Sequence, residues 1–106
     1  MSDAGRLKTR LVLQAPQDTP DGQGGFSRGF IDVATIWAAV TPLSARENVE
    51  ADANGSVSRV RIIFRNEFSV TLTHRLLEGV RVYRVTALRE RDDRRFIEID
   101  AEWRQD

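Results

Sequence analysis

Polar and apolar positions alternate with a period of two in several separate stretches of the chain, the pattern of strands with one buried face. From Arg6 to Gln14, Leu7, Thr9, Leu11 and Leu13 point one way, and Lys8, Arg10, Val12 and Gln14 the other. Ser56 to Arg65 sets Ser58, Val60, Ile62 and Phe64 against Val57, Arg59, Arg61, Ile63 and Arg65. The last stretch is the clearest, with Ile97, Ile99, Ala101 and Trp103 opposite Glu98, Asp100, Glu102 and Arg104. Phe26, Phe30, Val33 and the run from Ile36 to Val40 predict a long strand with an irregular start that stops at Pro42. Thr71–Leu77 and Val80–Thr86 flank Glu78-Gly79, a two-residue connection with a glycine available for positive φ, and predict an antiparallel hairpin.

Between these strands the breakers cluster. Pro16 to Gly25 holds two prolines and three glycines and predicts a long mobile loop. Ser44-Ala45-Arg46-Glu47 matches a capping box, in which serine and glutamate satisfy the first backbone amides of a helix. Asn54-Gly55 stops that helix and only Val49 is large and apolar, so residues 44–55 predict a helical turn within a flexible connection. Five or six short strands, one short helical turn and two long loops predict an all-β fold. The expected architecture is a small antiparallel β-barrel or sandwich, one domain spanning residues 1–106.

Composition narrows the function. The chain has 106 residues, 41% hydrophobic and 30% charged, and reads as a soluble globular protein with a thin core. No apolar run is long enough to span a bilayer and the first residues lack an apolar signal core, so no membrane association and cytoplasmic synthesis are expected. There is no cysteine, hence no disulfide and no thiolate metal site. Sixteen cations balance sixteen anions, which removes the broad basic field of non-specific nucleic-acid binders. Lys8 is the only lysine, and arginine's planar fork suits carboxylate pairing across interfaces.

Catalytic chemistry is not signalled. His74 is the single histidine and a strand histidine beside a hairpin is ordinarily structural. Asp92-Asp93 sits among Arg91, Arg94 and Arg95, a solvated charged turn rather than a cation site. Gly22-Gln23-Gly24-Gly25 looks like a phosphate loop only superficially, because no Lys-Ser or Lys-Thr follows it. Trp37, Trp103, Tyr83 and the five phenylalanines fall mostly on the buried phase of strands, which favours core packing over a base-stacking platform. No catalytic residue, cofactor, metal or small-molecule substrate is expected. The surface points instead to complementary charge between copies: the acidic edge of the last strand (Glu98, Asp100, Glu102) against the arginine face (Arg59, Arg61, Arg65) of the next copy, a contact that can close a ring.

The order of these pieces resembles the phage head-tail joining family, the head-closure, stopper or adaptor proteins, including the branch found in gene transfer agents. The matching residues are Ala4-Gly5-Arg6-Leu7, Arg10–Pro16, Asp21–Gly25, Val33–Val40 with Pro42-Leu43-Ser44 and Arg46-Glu47, then Arg61–Arg65 and Gly79–Val85. The likeness covers nearly the whole chain. It departs at Phe30, where a tryptophan is expected upstream of Val33, and at Asn66–Val70, where the family has a proline-containing turn. The resemblance implies a non-enzymatic connector: a homo-oligomeric ring at the head–tail neck, between a portal or adaptor protein and a tail terminator or tail tube, close to packaged DNA. It implies that a loop projects into the channel, with Arg46, Glu47, Asn48, Glu50, Asp52 and Asn54 as its candidates, and that residues 16–28 contact neighbours. A different tail component such as a terminator, an OB-like single-stranded nucleic-acid binder and a small hydrolase are the other readings.

Overall fold

The structure, a computed structural model, describes residues 7–43 and 57–104. Six strands make it up: β1 (Thr9–Pro20), β2 (Phe26–Pro42), β3 (Val57–Arg65), β4 (Arg75–Glu78), β5 (Arg81–Arg91) and β6 (Phe96–Arg104). All pairs are antiparallel and the sheet closes on itself in the order β1-β2-β3-β6-β5-β4. Closure supplies each strand with two neighbours and removes open edges from the barrel wall. The all-β antiparallel expectation holds. The expected helical turn, and with it Arg46, Glu47, Asn48, Glu50, Asp52 and Asn54, lies outside the described residues.

The inward phase of every strand feeds one core. Leu11 and Leu13 from β1, Ile36 and Ala38 from β2, Val60, Ile62 and Phe64 from β3, and Leu76, Tyr83, Val85, Ile97, Ile99 and Ala101 from the rest are all buried together. The alternation read from the sequence in β1, β3 and β6 is therefore the pleat of a barrel wall.

Three corrections follow. Pro16 to Gly25 is not a long loop: β1 runs on to Pro20 and pairs through Pro20↔Phe26, leaving only a short turn. Both prolines fit because a strand at the margin of a sheet can turn its missing N–H away from its partner. Asp21 closes the turn, its Oδ1 accepting from the Gln23 and Gly25 amides at 2.8 and 3.1 Å, while Gly22 and Gly24 take φ of 81° and 84°.

Second, Thr71–His74 is a turn rather than strand. The Thr71 amide donates to His74 Nδ1 at 3.0 Å, so the lone histidine fastens this turn. The hairpin after it is present, but its two connecting residues are Gly79, at φ 61°, and Val80. Third, the aromatics divide. Tyr83, Phe64 and Phe96 are buried, whereas Trp37 is 56% and Phe26 70% exposed.

The strand lengths do not match, and this shapes the molecule. β1 meets β4 only over Val12–Gln14, and β2 meets β3 only over Ala38–Pro42. Beyond these limits β1 and β2 pair with each other alone. The remainder, Ala15–Pro20 against Phe26–Ile31, forms a two-stranded arm about 20 Å long at the standard rise per residue. A register shift between Leu13 and Gln14 marks its root.

Candidate functional site

Three features carry the molecule's chemistry. The first is a charged face on β3, β6 and β5. Register places Arg61 opposite Asp100, Arg59 opposite Glu102, and Arg89 opposite Glu98. Arg61 Nε lies 3.2 Å from Asp100 Oδ1 and 3.7 Å from Glu98 Oε2. Arg89 reaches the same two carboxylates at 2.9 and 2.6 Å, and Arg91 reaches Glu98 at 3.0 Å. Burial pushes the Asp100 carboxyl up, but hydrogen bonds from Arg89 and Arg61 outweigh it and hold the group below the ordinary carboxylate value.

Two of the three acids expected to face the next copy, Glu98 and Asp100, are therefore met by arginines of the same chain. A contact between copies through this row must share or break those pairs. Arg65 stacks on Phe96, 5.9 Å from its ring centre, at the other end of the row. Among the described residues Arg59 and Glu102 make no ion pair; Glu102 borders a groove of about 570 Å³ with Arg81, Arg84 and Trp103.

The second feature plugs one end of the barrel. Tyr83 is completely buried, and its hydroxyl donates to Glu78 Oε1 at 2.8 Å. Arg81 Nη1 donates to the same hydroxyl at 3.3 Å, and its guanidinium lies 3.9 Å from the Trp103 ring centre. Burial raises the Tyr83 pKa above its ordinary value, with the Arg81 hydrogen bond opposing. The tyrosine is thus a neutral structural donor. At this end β2 finishes at Pro42 and β3 begins at Val57, tied by the Leu43 amide donating to the Arg59 carbonyl at 3.1 Å. The connection 44–56 therefore leaves and re-enters the fold here.

The third feature, the arm, lies at the opposite end with the β3–β4 and β5–β6 connections. The β5–β6 turn holds Asp92, Asp93 and Arg94 all at positive φ, and Asn66 braces it by donating to the Arg94 carbonyl at 2.9 Å. The arm's own charges are matched. Arg28 Nε sits 3.0 Å from Asp18, and Gln14 donates to Asp32 at 2.7 Å while accepting from Arg75 at 2.8 Å. Arg75 also lies 3.7 Å from the Phe30 ring centre. Against this neutral background Phe26, Ile31, Val33 and Trp37 stand out. They are four of the seven large hydrophobics exposed among the described residues, and all are on β2.

Sequence reasoning missed this patch. A signal was present: from Ile31 to Trp37 apolar residues occupy both phases of β2, the composition of a strand covered on both faces. The described residues contain no group of three or more acidic or histidine side chains placed to hold a metal, and no helix long and apolar enough to cross a membrane.

Comparison with known proteins agrees with this architecture. The solution structure of protein SF1141 from Shigella flexneri 2a superposes with a TM-score of 0.75 at 26% identity, over 96% of each chain. A chain from the virion of a native gene transfer agent particle shares the fold with a TM-score of 0.70 at 22% identity, over 92% of this chain and 94% of that one. No curated protein matches the chain. The model of the phage head completion proteins matches residues 2–104, which is nearly every residue, and the chain belongs to that family.

Proposed function

We propose that the protein forms a homo-oligomeric ring at the neck of a tailed phage or a gene transfer particle, between a portal or adaptor protein and the tail, and helps retain packaged DNA. The family's role is structural, connecting and closing the head. The observation that carries the finer reading is the placement of unlike features at opposite ends of one closed barrel. The arm and its exposed apolar residues lie at one end, and the exit of the connection 44–56 at the other. A connector needs a distinct surface for each neighbour, and a barrel that satisfies its own edges can hold two such surfaces apart. The likeness to a chain of a gene transfer agent virion supports a particle of that kind as the place of action.

Production in a bacterial cytoplasm and incorporation into the particle during assembly follow from that reading. Tagged protein supplied during particle production, imaged by electron microscopy with a label on the tag, tests it. Label confined to one point between head and tail is expected; label on the capsid wall, the tail tip or nucleic acid freed from particles would refute the assignment.

A further inference from the structure

The arm has two edges, and they are not equivalent. On β1, Pro16 and Pro20 lie four residues apart, so their missing N–H groups fall on the same side of the strand. Both residues pair with β2, opposite Phe30 and Phe26, and because proline cannot donate to that ladder, the side it leaves without donors is the outward one. That edge is poor for pairing. On β2 the outer edge from Phe26 to Trp37 contains no proline and has no β3 partner before Ala38. It is a proline-free strand edge, flanked by exposed Phe26, Ile31, Val33 and Trp37. Its charged members, Arg28 and Asp32, already have partners on β1, so they do little to repel an apolar neighbour.

A second apolar feature sits on the other side of the arm's root. Leu72, 60% exposed, borders a groove of about 300 Å³ with Phe30, His74, Arg75 and Val82. The arm edge faces the β3 side and Leu72 the β4 side, and both belong to the same end of the barrel. Copies standing side by side around an axis would bring one against the other at a common height. Contacts between unlike patches are the kind that propagate around a ring, whereas pairing of two β2 edges would stop at a dimer.

We infer that the open β2 edge of the arm docks on the Leu72 flank of a second copy of this chain, and that this contact joins neighbours in the ring. The inference rests on the ring reading above and names its surface. The register places Ile31 on the face shared with Leu13, and Phe26 and Trp37 on the opposite face, so a strand or loop of a second copy laid along this edge meets apolar side chains on both sides of it. The area falls below what one partner contributes to a standard interface, so a single contact is weak and a closed ring, with two per copy, is far firmer.

The test uses the full-length chain and sedimentation velocity up to about 1 mM, where even contacts of millimolar affinity populate oligomers. Wild type is expected to associate. Ile31→Arg and Leu72→Arg are each expected to weaken association by about tenfold or more. Val80→Arg, at the fully exposed turn of the opposite end, is the matched control and is expected to change nothing. Mixing Ile31→Arg with Leu72→Arg leaves one intact contact between unlike copies and is expected to yield heterodimers that do not grow. All three positions are exposed, and unchanged thermal unfolding verifies the fold. Wild type that stays monomeric, association as sensitive to Val80→Arg as to Ile31→Arg, or a mixture that forms no heterodimer would each overturn the inference. None of these results moves the label in the particle experiment, so the two readings fail separately.

Discussion

The barrel and the arm are built from the same two strands and obey opposite rules. Below the register shift at Leu13 and Gln14, β1 and β2 turn Leu11, Leu13, Ile36 and Ala38 inward, each under 5% exposed. Beyond Gln14 β1 has no β4 partner, before Ala38 β2 has no β3 partner, and along these stretches Phe26 and Ile31 are exposed. Apolar surface contributes to folding only where it leaves water within the chain. The barrel residues therefore hold the fold, and the arm residues are available to a partner.

Substitution separates the regions most sharply at large side chains. Phe64→Ala, inside the barrel, is expected to cost about 3 to 5 kcal/mol by urea unfolding. Phe26→Ala, on the arm, is expected to stay within about 0.5 kcal/mol. Comparable losses at the two sites would erase the distinction.

A smaller effect is expected at the barrel plug. Tyr83→Phe keeps the ring but removes the donor to the Glu78 carboxylate, and is expected to cost about 1.5 to 3 kcal/mol, as for a hydrogen bond to a charged group. No loss would mean that water replaces the hydroxyl.

The pH dependence sharpens the same contrast. Asp100 has a folded pKa below its ordinary value of 3.8, so its contribution is present above 3.8 and disappears as pH falls through the lower folded value. Tyr83 has a folded pKa above its ordinary 10.0, so its contribution is intact below pH 10 and lost as pH rises through the higher folded value. Urea midpoints measured against pH are expected to show both losses. Asp100→Asn is expected to flatten the acid side and Tyr83→Phe the alkaline side.

The smallest effect belongs to the arm's exposed ion pair. Arg28→Ala is expected to leave the urea midpoint unchanged, because a pair this exposed is screened by solvent.

What was legible in the sequence follows the same division. Period-two patterns marked β3 and β6 almost to the residue, because burial on one face leaves an alternating trace. The sequence shows the β2 half of the arm as the irregular start of a strand, but in its β1 half prolines and glycines dominate local statistics and predict a loop, because that strand depends on a pairing partner across the turn. The charged face shows the same limit. Periodicity found both the arginine and the acidic rows, but only the strand order β3-β6-β5 reveals that they are neighbours in one chain. The order of motifs along the chain points to the head-completion family that the family model matches, whereas the exposed apolar residues of β2 become visible only once β3 is seen to stop short of them.

The most direct test of the central claim is removal of the gene, followed by electron microscopy of the products. A structural connector of head and tail predicts DNA-filled or leaking heads and separate, complete tails, rejoined when the protein is restored. Intact, tailed and infectious or transfer-competent particles without it would contradict the account.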